Sequence, residues 1–186
     1  MFHGLYKQRM TKQEIKTQLA VKYQSFTDFV AGLTDEDFQY APTGKWNAGQ
    51  QLDHLIRAVN PLAKGLALPK FIVPLLFGKA NRPSKTYAEL VSKYQSKLQA
   101  GGKASGKFIP GKIVPADKTK NIEKLLNKVN RLSNHIDDFS EEQLDKFILP
   151  HPLLGKVTMR EMMYFTIYHA EHHLNLIEKY LSVNGD

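Results

Sequence analysis

One local signal recurs through this 186-residue chain: a Thr, Asn or Ser followed three residues later by Glu or Gln, at Thr11/Glu14, Asn47/Gln50, Thr86/Glu89, Ser140/Gln143 and Thr158/Glu161. In such a pair the first side chain accepts from an N–H of a helix's first turn and the second reaches back to the cap's own N–H, so each pair predicts a helix start. Behind Thr11 the apolar residues Ile15, Leu19, Tyr23, Phe26, Val30 and Leu33 recur at three- and four-residue steps, the spacing of one buried helix stripe. That predicts a first helix running to about residue 32. The pattern repeats over 47–66, where Leu52, Leu55, Ile56, Val59, Leu62 and Leu66 precede breaks at Pro69 and Pro74. It returns over 86–100, over 119–138 and over 158–182, where Met162, Phe165, His169, His173, Leu176 and Tyr180 share one side.

Residues 100–118 contain Gly101, Gly102, Gly106, Gly111, Pro110 and Pro115, too many breakers for a helix or a central strand. A mobile, basic loop is expected there. Its Phe108-Ile109 and Ile113-Val114 pairs either form a short hairpin-like excursion or pack against the helices. No strand pattern elsewhere is long enough to build a sheet. At 42% hydrophobic and 24% charged residues, the 186-residue composition is that of a folded globular chain. Residues 1–186 are therefore read as a single all-α domain. Four long helices with a long middle connection predict a four-helix bundle, with an extra short helix and a basic Gly/Pro-rich loop.

Composition narrows the chemistry. The chain has no cysteine, which excludes disulfides, thiolate metal sites and cysteine nucleophiles and fits a cytoplasmic location. The first residues show no secretory pattern, and the apolar run 62–77 is broken by Lys64, Pro69, Lys70 and Pro74, so neither export nor a membrane partner is expected. The net charge of +8 is regional, with 13 basic and 3 acidic residues between Lys79 and Arg131. A solvated basic region is the reading for 79–131; without stacking aromatics or a recognition motif, nucleic acid is not expected.

The histidines carry what chemistry there is. His169 and His173, four residues apart, leave one helix face one above the other, a metal-ligand spacing. His169 lies near the middle of its apolar stripe and His173 roughly 40° to one side, so both point inward. Either they are core residues bonded to neighbours, or a divalent cation satisfies their nitrogens. His172, roughly 60° to the other side, is a substitute ligand, a supporting group or a solvent-facing residue. His54 lies roughly 130° from the centre of its helix's apolar arc, beside Gln50, Gln51, Ala58 and Pro61. It is either a surface histidine or faces a polar cavity between helices. Trp46 is expected to pack at the bundle end, His151 to be a structural residue of a proline-flanked turn, and His3 and His135 to lie on the surface. Tyr164 and Tyr168 flank the inward histidines, and no paired carboxylates accompany them.

Two segments, GKWNAGQQLDHL (44–55) and HPLLGKVTMREMMYFTIYHAEHHLNLIEKYL (151–181), in this order and separation, resemble the DinB/YfiT-like superfamily. The resemblance spans most of the chain. It implies an up-down-down-up four-helix bundle, often a homodimer, with a divalent metal, Ni or Zn, held by His54, His169 and His173. It also implies a small-molecule substrate and an enzyme class, metal-dependent hydrolase or thiol S-transferase. The missing cysteine suits a transferase whose sulfur arrives on a low-molecular-weight thiol cosubstrate. His172 and His151 are supporting or substrate-facing candidates, and the Lys-rich loop is a candidate cover that draws in anions. The alternative is a non-catalytic, stress-related binding or scaffold bundle with structural histidines.

Overall fold

The computed structural model describes residues 9–182. In chain order the elements are α1 (Lys12–Gly32), α2 (Asp35–Gln39), α3 (Ala48–Leu66), α4 (Ile72–Phe77), α5 (Tyr87–Gln99), α6 (Lys118–Ile136), α7 (Glu141–Lys146), β1 (Ile148–His151), β2 (Gly155–Thr158) and α8 (Met159–Ser182). The capping pairs account for the helix starts. Thr11, Asn47, Thr86 and Ser140 each form a full reciprocal box, opening α1, α3, α5 and α7. Thr158 and Glu161 exchange the same two hydrogen bonds, at 3.2 and 2.9 Å, ahead of α8.

α1, α3, α6 and α8 form the bundle, with α5 laid against α8. Contacts at the helix ends fix their directions. Lys118, opening α6, donates through Nζ to the Leu33 carbonyl just beyond α1, and Asn47, capping α3, donates to the Gln39 carbonyl. Lys12, opening α1, meets the Phe139 carbonyl beyond α6, and the Tyr164 hydroxyl near the start of α8 accepts from the Met10 N–H. α3 and α6 therefore run parallel to each other and opposite to α1 and α8, which is the up-down-down-up order. Ile15, Leu19, Tyr23, Phe26 and Val30 of α1 are completely buried, each large apolar side chain contributing about 1.5–3 kcal/mol of transfer free energy.

Two features differ from the sequence expectation. The one-sided stripe of α8 holds only in its second half, because residues 159–167 are buried on every side, Arg160 and Glu161 included. Those charges are fully partnered, as buried charges must be. Arg160 pairs with Glu141 and Asp145 and donates to the Met10 and Glu141 carbonyls. Glu161 takes both arms of Arg82 and the N–H groups of Lys85 and Thr158. Second, a hairpin does exist, but at 148–158 rather than 108–114. β1 and β2 pair antiparallel, with Ile148 opposite Thr158 and His151 opposite Gly155. Strands of four residues, one carrying Pro150, are too short to show alternation. The 100–118 segment holds two turns of 3-10 helix, Gly106–Phe108 and Pro115–Asp117.

Candidate metal centre

α3 packs chiefly on α6 through its apolar stripe, while the opposite side, carrying Gln51 and His54, meets α8. That second contact explains why His54 is buried although it lies outside the stripe. There it meets His169 and His173, which the i, i+4 step stacks on the inner face of α8. The His54 Nε2 lies 3.1 Å from His169 Nε2, and His173 Nε2 lies 2.9 Å from the same atom. Three ring nitrogens thus converge on one point, 115 residues of sequence separating the first ring from the second.

The second nitrogen of two of these rings fixes their tautomers. His54 Nδ1 lies 2.7 Å from the Phe108 carbonyl, which only accepts, so Nδ1–H donates and Nε2 holds a lone pair. His173 Nδ1 faces the Gln51 side-chain oxygen, whose amide nitrogen donates to the Trp46 carbonyl at 3.3 Å, so His173 Nδ1–H donates as well. Two lone pairs therefore point at His169 Nε2, which carries at most one hydrogen for both. His169 Nδ1 is buried with no partner among the described residues. Burial holds all three rings below the ordinary histidine value, and in His169 and His173 the neighbouring imidazoles add to the effect. A cluster of converging neutral lone pairs is the donor set a divalent cation needs. The spacing fits too: nitrogens bound at about 2.0–2.1 Å to one ion stand about 2.9–3.4 Å apart for angles from square to tetrahedral. Among the described residues no carboxylate joins the group; Asp53 pairs with Arg57 and Glu171 with Lys22.

The centre opens into a cavity of about 800 Å³. Most of its wall is apolar, including Leu62, Leu98, Leu149, Met162, Phe165 and Leu176. Ala58 and Pro61, the small neighbours of His54 in sequence, also line it. Trp46, half-buried just ahead of α3, also faces the centre, its ring 5.0 Å from His54 and stacked on His173 at 6.4 Å, centroid to centroid. His172 lies beside His173 and Tyr168, outside the three-nitrogen point, and lines the cavity. His151 sits in the hairpin turn against Phe165, its ring 4.2 Å away, and also lines the cavity. Its Nδ1 accepts from the N–H groups of Leu153 and Leu154, so the hydrogen is on Nε2, which has no partner among the described residues.

The remaining candidates fall away from the centre. The Tyr168 hydroxyl accepts from Gln95, and Tyr164 is tied to Met10. His135 pairs with Asp138 at the surface, and His3 lies outside the described residues. Three participants escaped the sequence reading. Gln51 orients His173, the Phe108 carbonyl orients His54, and Tyr94 lines the cavity with a hydroxyl that has no partner among the described residues. Burial, then nearby Tyr168, pushes the Tyr94 phenol well above its usual value, so it stays a donor. A stripe reading files Tyr94 with the core, and a backbone carbonyl has no signature in a sequence.

The fold recurs in solved structures. YfiT from Bacillus subtilis, described as a probable metal-dependent hydrolase with an unusual four-helix bundle topology, superposes with a TM-score of 0.61 at 16% identity, covering 98% of this chain and 95% of that one. A conserved protein from Enterococcus faecalis gives 0.59 at 16% identity, covering 91% and 94%. Likeness at this identity establishes the fold. No functionally curated protein matches the sequence. The sequence profile of the DinB superfamily matches residues 18–177, which takes in both α3 with His54 and α8 with His169 and His173, and the chain belongs to that superfamily.

Proposed function

We propose that this chain is a metal-dependent enzyme acting on a small organic molecule, with His54, His169 and His173 as ligands to one divalent ion, Ni or Zn, and with hydrolysis or transfer of a low-molecular-weight thiol as its reaction. The observation that carries the reading is the convergence of two lone-pair nitrogens, their tautomers set by Phe108 and Gln51, on a third buried imidazole. Such an ion lowers the pKa of a coordinated water or thiol and polarises a substrate oxygen. The protein's own groups do the rest. Gln51 and the Phe108 carbonyl hold two rings in the binding tautomer. The apolar wall excludes water and takes the body of the substrate. Tyr94 O–H and His151 Nε2–H donate to a substrate carbonyl or carboxylate oxygen, and His172 lies alongside as a further polar contact. Lys45, Lys103 and Lys107 line the same cavity and favour an anionic substrate. The thiol sulfur comes with the cosubstrate, since the chain has no cysteine.

Elemental analysis of tag-free protein tests this directly. We expect about one Ni or Zn per chain in the parent and little in His54→Ala or in His169→Ala/His173→Ala. Gln51→Ala keeps the ligands and loses about 10–100-fold in metal affinity, the usual cost of removing an orienting partner. Substoichiometric metal in the parent after reconstitution overturns the proposal.

A further inference from the structure

Residues 54–88 contain no Asp or Glu and carry Arg57, Lys64, Lys70, Lys79, Arg82 and Lys85. Arg57 and Arg82 are taken by Asp53 and Glu161, but Lys64, Lys70 and Lys79 are exposed and form no ion pair among the described residues. Between these lysines lies α4, packed against β1. Val73 is the buried anchor of α4, while Leu68, Phe71, Leu75 and Leu76 stand 43%, 70%, 78% and 59% exposed. Four large exposed apolar side chains thus fall within nine residues of sequence, whereas exposed apolar residues elsewhere on the described surface, such as Val21, Ile109 and Val114, are scattered along the chain. Lys64, at the end of α3, also lies within electrostatic reach of Lys128 on α6, beside Lys124 and Arg131, so the cationic rim extends onto the neighbouring helix.

We infer that this exposed apolar segment, residues 68–77 with its lysine rim, docks the protein on the surface of an anionic lipid bilayer. An interface of this kind takes a short amphipathic element whose apolar side chains enter the headgroup boundary while Lys and Arg meet the anionic lipids. The exposed apolar side chains stand on a six-residue helix and the turn leading into it, a short element that suits a soft planar surface. A second copy suits it poorly, because a two-fold contact lays the patch on itself and brings Lys64, Lys70 and Lys79 against their own equivalents. Surface docking needs no spanning segment, and no described helix is long and apolar enough to cross a membrane. Phe77, at the end of α4, lines the cavity, so the docking segment is continuous with the wall of the candidate site. The inference stands apart from the metal assignment and survives its failure.

The test is co-sedimentation of the full chain with vesicles of phosphatidylcholine alone and of phosphatidylcholine with about one-third phosphatidylglycerol, at low and high salt. We expect partitioning onto the anionic vesicles only, weakened by salt. Phe71→Ser/Leu75→Ser, at sites exposed enough to leave the fold intact by circular dichroism and melting temperature, should lose at least tenfold. Lys70→Gln and Lys79→Gln should each lose about fivefold. Three results overturn the inference: no binding to anionic vesicles, undiminished binding by Phe71→Ser/Leu75→Ser, or a parent dimer by sedimentation that this variant splits into monomers.

Discussion

His151 is a turn residue and a cavity residue at once, and its protonation state serves both. Its Nδ1 lone pair is committed to two backbone N–H groups, and Lys93 braces the same turn by donating to the Leu154 carbonyl at 3.0 Å. Burial, assisted by the Lys93 charge, lowers its pKa to about 4. An unfolded histidine titrates near 6.5. Because the folded value is depressed, the unfolded chain binds the extra proton first, so this contribution to stability is complete above about pH 6.5 and is lost as the pH falls toward 4. His151→Asn keeps an acceptor for the turn and removes the titration. Between pH 7 and pH 5 the metal-free parent should therefore lose about 1–2 kcal/mol more stability than the variant. Urea unfolding at the two pH values measures it, and parallel losses would show that His151 is not held neutral by the turn.

At the scale of elements, the 100–118 segment changes role most between sequence and structure. Its glycines and prolines read as a mobile loop, yet it is fastened to α3 at several points. The Gly111 N–H donates to Asp53 at 2.7 Å, Arg57 reaches the Lys107 carbonyl at 3.4 Å, and the Phe108 carbonyl takes the His54 hydrogen. Gly102 lies so close to Lys97 that a Cβ would stand 2.7 Å from its carbonyl oxygen. Asp53→Asn should weaken a charge-assisted bond and an ion pair together, worth about 1 kcal/mol at this partly exposed site. The expected result is about fivefold faster trypsin cleavage after Lys103 or Lys107 under native conditions; an unchanged rate would mean that other contacts hold the segment. The helices themselves were legible, since caps and stripes are written in adjacent side chains. So was the His-x3-His step on α8. His54 could be ranked only by resemblance, and Gln51, Phe108 and Tyr94 not at all, because what they contribute is a contact with a distant element or a main-chain atom.

The whole molecule brings these parts together through its connectivity. With α1 and α8 parallel, and α3 and α6 running against them, α3 and α8 lie side by side although the middle of the chain separates them. The three-histidine point joins those two helices at a place where apolar packing yields to polar groups, so the bundle without a cation keeps lone pairs facing one another inside its core. A ligand bound only by the folded state stabilises it by mass action, about 2.7 kcal/mol at a hundredfold excess over Kd. For a chain of this size that is about 5–10 °C in Tm. Calorimetry with Zn or Ni, then with chelator, then with metal restored should show a reversible shift of that order in the parent and almost none in His54→Ala. The same comparison separates two designs for the core. If the parent binds metal stoichiometrically and its Tm ignores the chelator, the unfolded chain holds the ion as well as the folded one does, and the helix pair is set by its apolar contacts alone. If the shift appears, the centre works as a clamp between α3 and α8, and the cavity it borders is held in shape by the ion that serves it.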